Sequence, residues 1–417
     1  MSLYRSLRAE MMAGGAVDEA NPTPEENRRR RRSILTGLVV LGLLVWLGIT
    51  NIWSFYLVVG LLISVFLHEI GHFVTAGWAG MKRTQFFMGF GPKLWSFHRD
   101  GVEYGVRALP LGAFVRIVGM NNLDPVEDED REVSYSSKPY RWRMLVITAG
   151  SLMHGIIAVA ILLFVYTVGG RVQETGRAEI FAISEASAAA AAGLENGDTI
   201  LAVNGNAVTS SEQLRTIIGS YSAGDEVRID YEREGQVASA EATLTSNPRV
   251  ADSTKGFLGV GTDSFGRTQI GVFDAANHVA GDLWRGMGTT IKGIVTTINP
   301  MNQWEQVTDS EADPTKRPTT VVGITKVAGD IGDRDGIYAV LEVLAAINIF
   351  VGIFNLLPLL PFDGGHAAIA TYERIRSRKD RSYYADVEKM WPVTVVVLSM
   401  LMFLTMAGLY LDITRPF

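Results

Sequence analysis

Apolar and polar positions fall in long blocks along much of this chain. Ser33 to Thr50, Ile52 to Ala79, Arg143 to Val168, Ile337 to Leu357 and Trp391 to Leu411 are runs of apolar side chains with few charges. Each predicts a membrane-spanning helix, and the first is short enough to cross only with tilt. Met88 to Val118 breaks into short alternations that predict short strands. Gly89-Phe90-Gly91-Pro92 interrupts them, and His98-Arg99-Asp100-Gly101 reads as a hairpin turn between Leu94–Phe97 and Val102–Val106. From Gly170 to about Val250 the chain turns Ala/Gly/Asp-rich. Strand-like pieces at 178–183, 199–203 and 226–231 and a helix-like piece at 211–218 predict an inserted α/β unit.

The expected organisation is therefore a disordered, basic-ended tail over 1–32, then two spans over 33–80, the second carrying the chemistry described below. A loop with a β-hairpin region follows over 81–142, a span over 143–168, the α/β unit over 170–250, a connector over 251–336 with an amphipathic helix near Ala276–Val295, and two spans over 337–417. Arg28 to Arg32, the basic residues between 81 and 143, and the cluster Arg374 to Lys389 all fall on one side if the spans alternate. By the positive-inside rule that side is cytosolic, and the α/β unit and the C-terminus lie outside.

Composition sharpens this picture. The chain has 417 residues, 47% of them hydrophobic, and a mean hydropathy of +0.17. A net charge of −6 gives no overall basic surface for nucleic acid. There is no cysteine, so disulfides and thiolate ligands are excluded and His, Asp and Glu are left to hold any metal. Residues 1–32 are polar and do not form a cleavable signal peptide.

The candidate chemistry sits inside the second run, at His68-Glu69-Ile70-Gly71-His72. On a helix the two histidines lie one turn apart on one face, roughly 6 Å along the axis, a spacing that lets two imidazoles grip one Zn²⁺. Glu69 is rotated off that face and is free to act as a base. Ionisable groups at membrane depth are costly unless paired or metal-bound, so the cluster marks a functional site. A catalytic zinc site expects a third protein ligand. Asp363, after the helix-breaking Pro358 and Pro361, is the candidate, and His366 is the nearby competitor.

His68-Glu69-x-x-His72 combined with Asn355-Leu-Leu-Pro-x-x-Pro-Phe-Asp363-Gly-Gly resembles the site-2 protease family. Gly89-Phe90-Gly91-Pro92 and Leu109-Pro110-Leu111-Gly112-Ala113 are similar to the membrane-associated β-hairpin region of its regulator-of-sigma-E branch. Ala192-Gly193-Leu194-x-x-Gly197-Asp198-x-Ile200-x-x-Val203-Asn204-Gly205 is similar to its PDZ domain, and Val322-Gly323-Ile324 and Tyr410-Leu411-Asp412-Ile413 to stretches near the fourth and last spans. The likeness covers roughly residues 50–417. Two features depart from it. His154 stands where Asn is usual, as a buried hydrogen-bonded residue or a substrate contact, and Phe362 stands where Leu is usual.

The resemblance implies a polytopic α-helical membrane protein with an inserted extracytoplasmic PDZ-like α/β domain and a membrane-associated β-hairpin region. It implies a zinc metalloendopeptidase of a bacterial inner membrane, with its active site near the cytosolic side. His68, His72 and Asp363 would hold the metal and Glu69 would be the base. The implied substrate is a membrane-spanning helix of a single-span protein in regulated intramembrane proteolysis, an anti-sigma factor first and signal-peptide remnants next. Asn355 and Asn348 offer amides to the unwound substrate backbone, and the hairpin offers a strand edge. Two other classes compete: a metal transporter, which needs more polar intramembrane residues than the runs contain, and a PDZ-bearing scaffold, which needs no base at Glu69.

Overall fold

The computed structural model describes residues 24–120, 126–247, 254–309, 313, 316–377, 383–385 and 387–415. It divides into two compact units, one made of the two ends of the chain and the other of Tyr166–Val272. The tail before Pro24 and parts of the 309–319 and 378–389 stretches lie outside the described residues.

In the first unit, α1 (Pro24–Thr50) is helical from Pro24, so the arginine run is helix rather than tail. Asn51 ends it and caps α2 (Ile52–Trp78), its side chain accepting the Ser54 amide at 2.8 Å. Among the described residues, four helical stretches are long and apolar enough to cross a membrane: Ile52–Trp78, Tyr140–Gly170, Val321–Asn355 and Trp391–Thr414. The fifth expected span does not reach that length among the described residues. Its apolar part, Ile34–Thr50, is about 25 Å long at ~1.5 Å per residue, against a hydrocarbon core of ~30 Å.

The hairpin is longer than its sequence signals indicate. β1 (Arg83–Arg99) and β2 (Val102–Ile117) pair antiparallel along their whole length. The turn falls where expected, with Asp100 and Gly101 both at positive φ, 50° and 75°. Gly89 and Gly91, expected to break the chain, instead sit at positive φ within β1, where the pairing register shifts as at a bulge. The hairpin packs on α1 and α2.

α3 (Tyr140–Phe164) packs against α2. After the inserted unit come α6 (Val272–Ile298), α7 (Pro300–Thr308) and α8 (Val321–Asn355), which lies against both α2 and α3. Gly336, at φ 77° and ψ −167°, splits α8 into two helical pieces. Its first turn is capped by the last helix. In α10 (Trp391–Thr414), buried Asp412 accepts from the Thr320 amide at 2.8 Å, the Thr320 hydroxyl at 2.6 Å and the Gly323 amide at 3.1 Å. Its other oxygen takes Arg317 at 2.6 Å. Between α8 and α10, α9 (Asp363–Arg376) packs on α3, through Ala370 against Val146 and Ile147 and through the ion pair Arg143–Glu373 at 2.5 Å.

The second unit carries β3 (Arg171–Ile183), α4 (Ala188–Ala191), β4 (Thr199–Val203), β5 (Asn206–Ala207), α5 (Ser211–Ile218), β6 (Glu226–Arg233), β7 (Gln236–Thr243), β8 (Thr245–Ser246), β9 (Gly256–Phe257) and β10 (Val260–Thr268). The main sheet runs β10-β3-β4-β6-β7. β10 comes from the stretch expected to be connector, so the α/β unit is wider than 170–250. β10 belongs here because it pairs with β3 from Val260↔Ile183 to Thr268↔Arg171. Strand alternation turns Val227 and Ile229 inward onto Ile180, Ile200, Val203 and Leu214. Fully buried Asp198 is held bidentately by Arg233, at 2.7 Å to each oxygen, and accepts the Glu195 amide. Burial alone would raise its carboxyl, but Arg233 and that amide outweigh it and hold Asp198 below the ordinary carboxylate range.

Candidate metal centre

α2 delivers His68 and His72 to one buried face, and helical spacing alone accounts for that. The Nε2 atoms lie 3.1 Å apart. What fixes their direction is α3. The Val146 carbonyl takes the His72 Nδ1 hydrogen at 2.7 Å, which turns Nε2 toward the site. The helices can approach because both are glycine at the contact. A Cβ on Gly71 would lie 2.7 Å from the Ala149 carbonyl oxygen, and one on Gly150 would lie 2.5 Å from Nε2 of both histidines.

Asp363 arrives from the other end of the chain as the first residue of α9. The segment before it folds back over the helix start, with Phe362 N bonded to Leu359 O and Gly365 N to Phe362 O, both at 3.0 Å. Gly364 and Gly365 are required by that fold-back. A Cβ on Gly365 would come within 2.6 Å of the Leu360 nitrogen, and Gly364 is closed off by the Leu356 and Leu357 carbonyls. Asp363 Oδ2 stands 3.4 Å from Nε2 of both histidines, yet receives no hydrogen bond.

His68, His72 and Asp363 thus present three lone-pair donors within 4.8 Å of one another. Buried Oδ2 is left without a donor, which a carboxylate does not tolerate unless a cation faces it. Two imidazoles and one carboxylate are the donor set of a three-ligand zinc site with a position left open. His366, one turn beyond Asp363, does not join the cluster. Burial holds its imidazole below its ordinary value.

Glu69 is half-buried beside the cluster, next to the Val115 backbone amide of β2. Asn355 is half-buried and makes no side-chain hydrogen bond among the described residues. Asn348 is spent internally. Its Nδ2 donates to the Leu344 carbonyl at 2.8 Å and to Ser64 Oγ at 3.1 Å, and its Oδ1 meets His154 Nδ1 at 2.8 Å. At 1% exposure, Asn348 ties α8 to α2 and α3. His154 is the buried hydrogen-bonded residue of the two alternatives. Gly150 and the Val146 carbonyl carry no signal at sequence level beyond a glycine within an apolar run.

The model of Peptidase family M50 matches residues 56–402. The zinc metalloprotease Rip1 of Mycobacterium tuberculosis is 30% identical over 403 residues, spanning 88% of this chain and 98% of its own. The zinc metalloprotease RasP of Shouchella clausii is 28% identical, spanning 85% and 97%. Among solved structures, the PDZ domain of an SdrC-like protein from Listeria monocytogenes is 26% identical, covering 22% of this chain and 92% of its own at a TM-score of 0.19. This multi-pass membrane protein with an inserted α/β unit is a zinc metalloprotease of the site-2 type, and it belongs to peptidase family M50.

Proposed function

We propose that this protein hydrolyses a peptide bond within a membrane-spanning helix of a single-span protein, in regulated intramembrane proteolysis, with an anti-sigma factor as the substrate class and signal-peptide remnants next. The observation that carries this is the convergence of His68, His72 and Asp363 among helices apolar enough to cross a membrane. A water-dependent reaction site at that depth is costly and finds its use in a substrate that is itself in the bilayer.

His68, His72 and Asp363 would hold Zn²⁺, which acidifies water and polarises a carbonyl when bound. Glu69 takes the proton of the attacking water and passes it to the leaving nitrogen. Cleavage needs a helical segment to unwind, which exposes backbone groups that require new partners. The β2 edge beside Glu69 offers them by strand addition, and the unspent Asn355 amide offers one more. Asn348 does not serve here, since its amide is already used. The basic loops favour a cytosolic hairpin, an active site near the cytosolic side and an extracytoplasmic PDZ-like unit in a bacterial inner membrane. A folded unit on that side would exclude substrates with bulky outer domains by sterics.

The test is wild type against Glu69→Gln in proteoliposomes with a single-span substrate. Glu69→Gln keeps zinc and loses cleavage by at least ~100-fold. Turnover at the wild-type rate by this variant refutes the mechanism. Metal flux without cleavage identifies a transporter, and neither activity identifies a scaffold.

A further inference from the structure

A buried nitrogen near the centre lacks a partner, and a neighbouring ring carries a nitrogen that is chemically complementary to it. The first is His68 Nδ1, which is buried without a hydrogen bond. His68 points Nε2 at His72 and Asp363. An imidazole that ligates through Nε2 keeps its proton on Nδ1, so this atom is a donor in need of an acceptor. His72 already has its acceptor in the Val146 carbonyl, and His68 has no counterpart to it.

The second is His154 Nε2. The Asn348 amide can face His154 in one sense only. Its Nδ2 is committed to the Leu344 carbonyl, which only accepts, and to Ser64 Oγ, whose own hydrogen goes to the Gly60 carbonyl. Asn348 Oδ1 therefore meets His154 Nδ1, which must donate. That fixes the neutral tautomer in which Nε2 carries a lone pair, and Nε2 has no donor among the described residues.

The two rings are neighbours, with centroids 5.0 Å apart and planes at 47°. An imidazole nitrogen lies about 1.2 Å from its ring centre, so this separation leaves about 2.6 Å between two nitrogens that face each other squarely, within hydrogen-bond reach. The backbone around His154 is close-packed: a Cβ on Gly352 of α8 would lie 3.2 Å from its Cβ. The bond requires the two rings to turn these nitrogens toward each other while His68 Nε2 keeps facing His72 and His154 Nδ1 keeps its bond to Asn348.

We infer that His154 is a positioning residue for the metal centre: its Nε2 accepts the Nδ1 hydrogen of His68, completing a chain from His68 through His154 and Asn348 to Ser64. The inference rests on His68 being a zinc ligand. It assigns a task to the histidine that departs from the family's usual Asn, and to the Asn348 amide that binds no substrate.

Three variants of the full-length protein separate this task from simple packing. His154→Gln places an amide oxygen where Nε2 stood. His154→Asn keeps a donor for Asn348 but cannot reach His68, and His154→Leu does neither. The readout is zinc affinity by competition with a chelator, with no substrate present. His154→Gln should bind zinc near the wild-type level, and His154→Asn and His154→Leu should bind about 10- to 100-fold more weakly. Equal affinity in all four proteins overturns the inference, as does rescue by Asn with failure of Gln. Should the variants fail to fold, isotope-labelled histidine NMR of zinc-loaded wild type decides. A hydrogen-bonded His154 Nε2 supports the inference, and a free lone pair there overturns it. A wild type that binds no zinc would refute the ligand assignment itself.

Discussion

Gly150→Ala adds one methyl group to a helix that contributes no ligand, yet it should weaken the metal centre. The new Cβ would lie 2.5 Å from Nε2 of His68 and 2.5 Å from Nε2 of His72. Relaxed carbon contacts lie near 3.5 Å, so each imidazole must retreat by roughly 1 Å. Zinc sites tolerate about 0.2 Å. Neither ring has an easy retreat. His72 is anchored to the Val146 carbonyl at 2.7 Å, and the helices cannot slide, because Gly71 is packed on the Ala149 carbonyl. Overpacking of this kind costs about 1–3 kcal/mol, which lowers zinc affinity by roughly 5- to 150-fold if it falls on the bound state. The assay is zinc content and chelator competition on purified protein, with Gly155→Ala as the control. Gly155 lies on the same helix, and a Cβ there meets nothing within 4 Å. Wild-type zinc affinity in Gly150→Ala would refute the geometry of the α2–α3 contact.

Asp363→Ala should lose most bound zinc while His366→Ala retains it, by metal analysis of both proteins; the opposite result would assign the third ligand to His366. In the inserted α/β unit, Asp198 has a folded-state carboxyl held below its ordinary value. Its contribution to stability is therefore complete above the unfolded value near ~4 and disappears as pH falls through the lower folded value. Arg233→Met should move acid-induced opening of β4 and β6 to higher pH, read by hydrogen exchange on the full chain; an unchanged profile would refute the role of the pair. A cysteine placed at Ser246 should react with an impermeant reagent in intact cells and one at Ser136 should not, and the reverse pattern inverts the topology.

How far the sequence leads depends on the range of the interaction concerned. His68 and His72 are legible because helical periodicity alone puts them on one face. The hairpin turn is legible from Asp100-Gly101, since its conformation is local. Strand length is not: β1 and β2 extend each other by cross-strand pairing, which no short window contains, and this carries the chain through Gly89 and Gly91 as a bulge. β10 was hidden for the same reason, because the β3 residues it pairs with, from Val260↔Ile183 to Thr268↔Arg171, lie 77 to 97 residues earlier. Asn348 shows the converse. An amide in an apolar run marks something polar, but only the positions of Ser64, Leu344 and His154 decide that it is satisfied within the bundle.

The cap on α8 ties the two ends of the catalytic half into an order of events during synthesis. Asp412, near the end of the last helix, is the residue that satisfies Thr320, Gly323 and Arg317. A nascent chain that has not yet delivered it carries an uncapped start to the helix that leads to Asp363. The centre that Asp363 completes is therefore expected to be fully held only once the last helix has been made and inserted. A chain cut short before Asp412 is expected to be a degradable fragment and not an unregulated protease, so the far end of the molecule acts as a checkpoint on the chemistry at its heart.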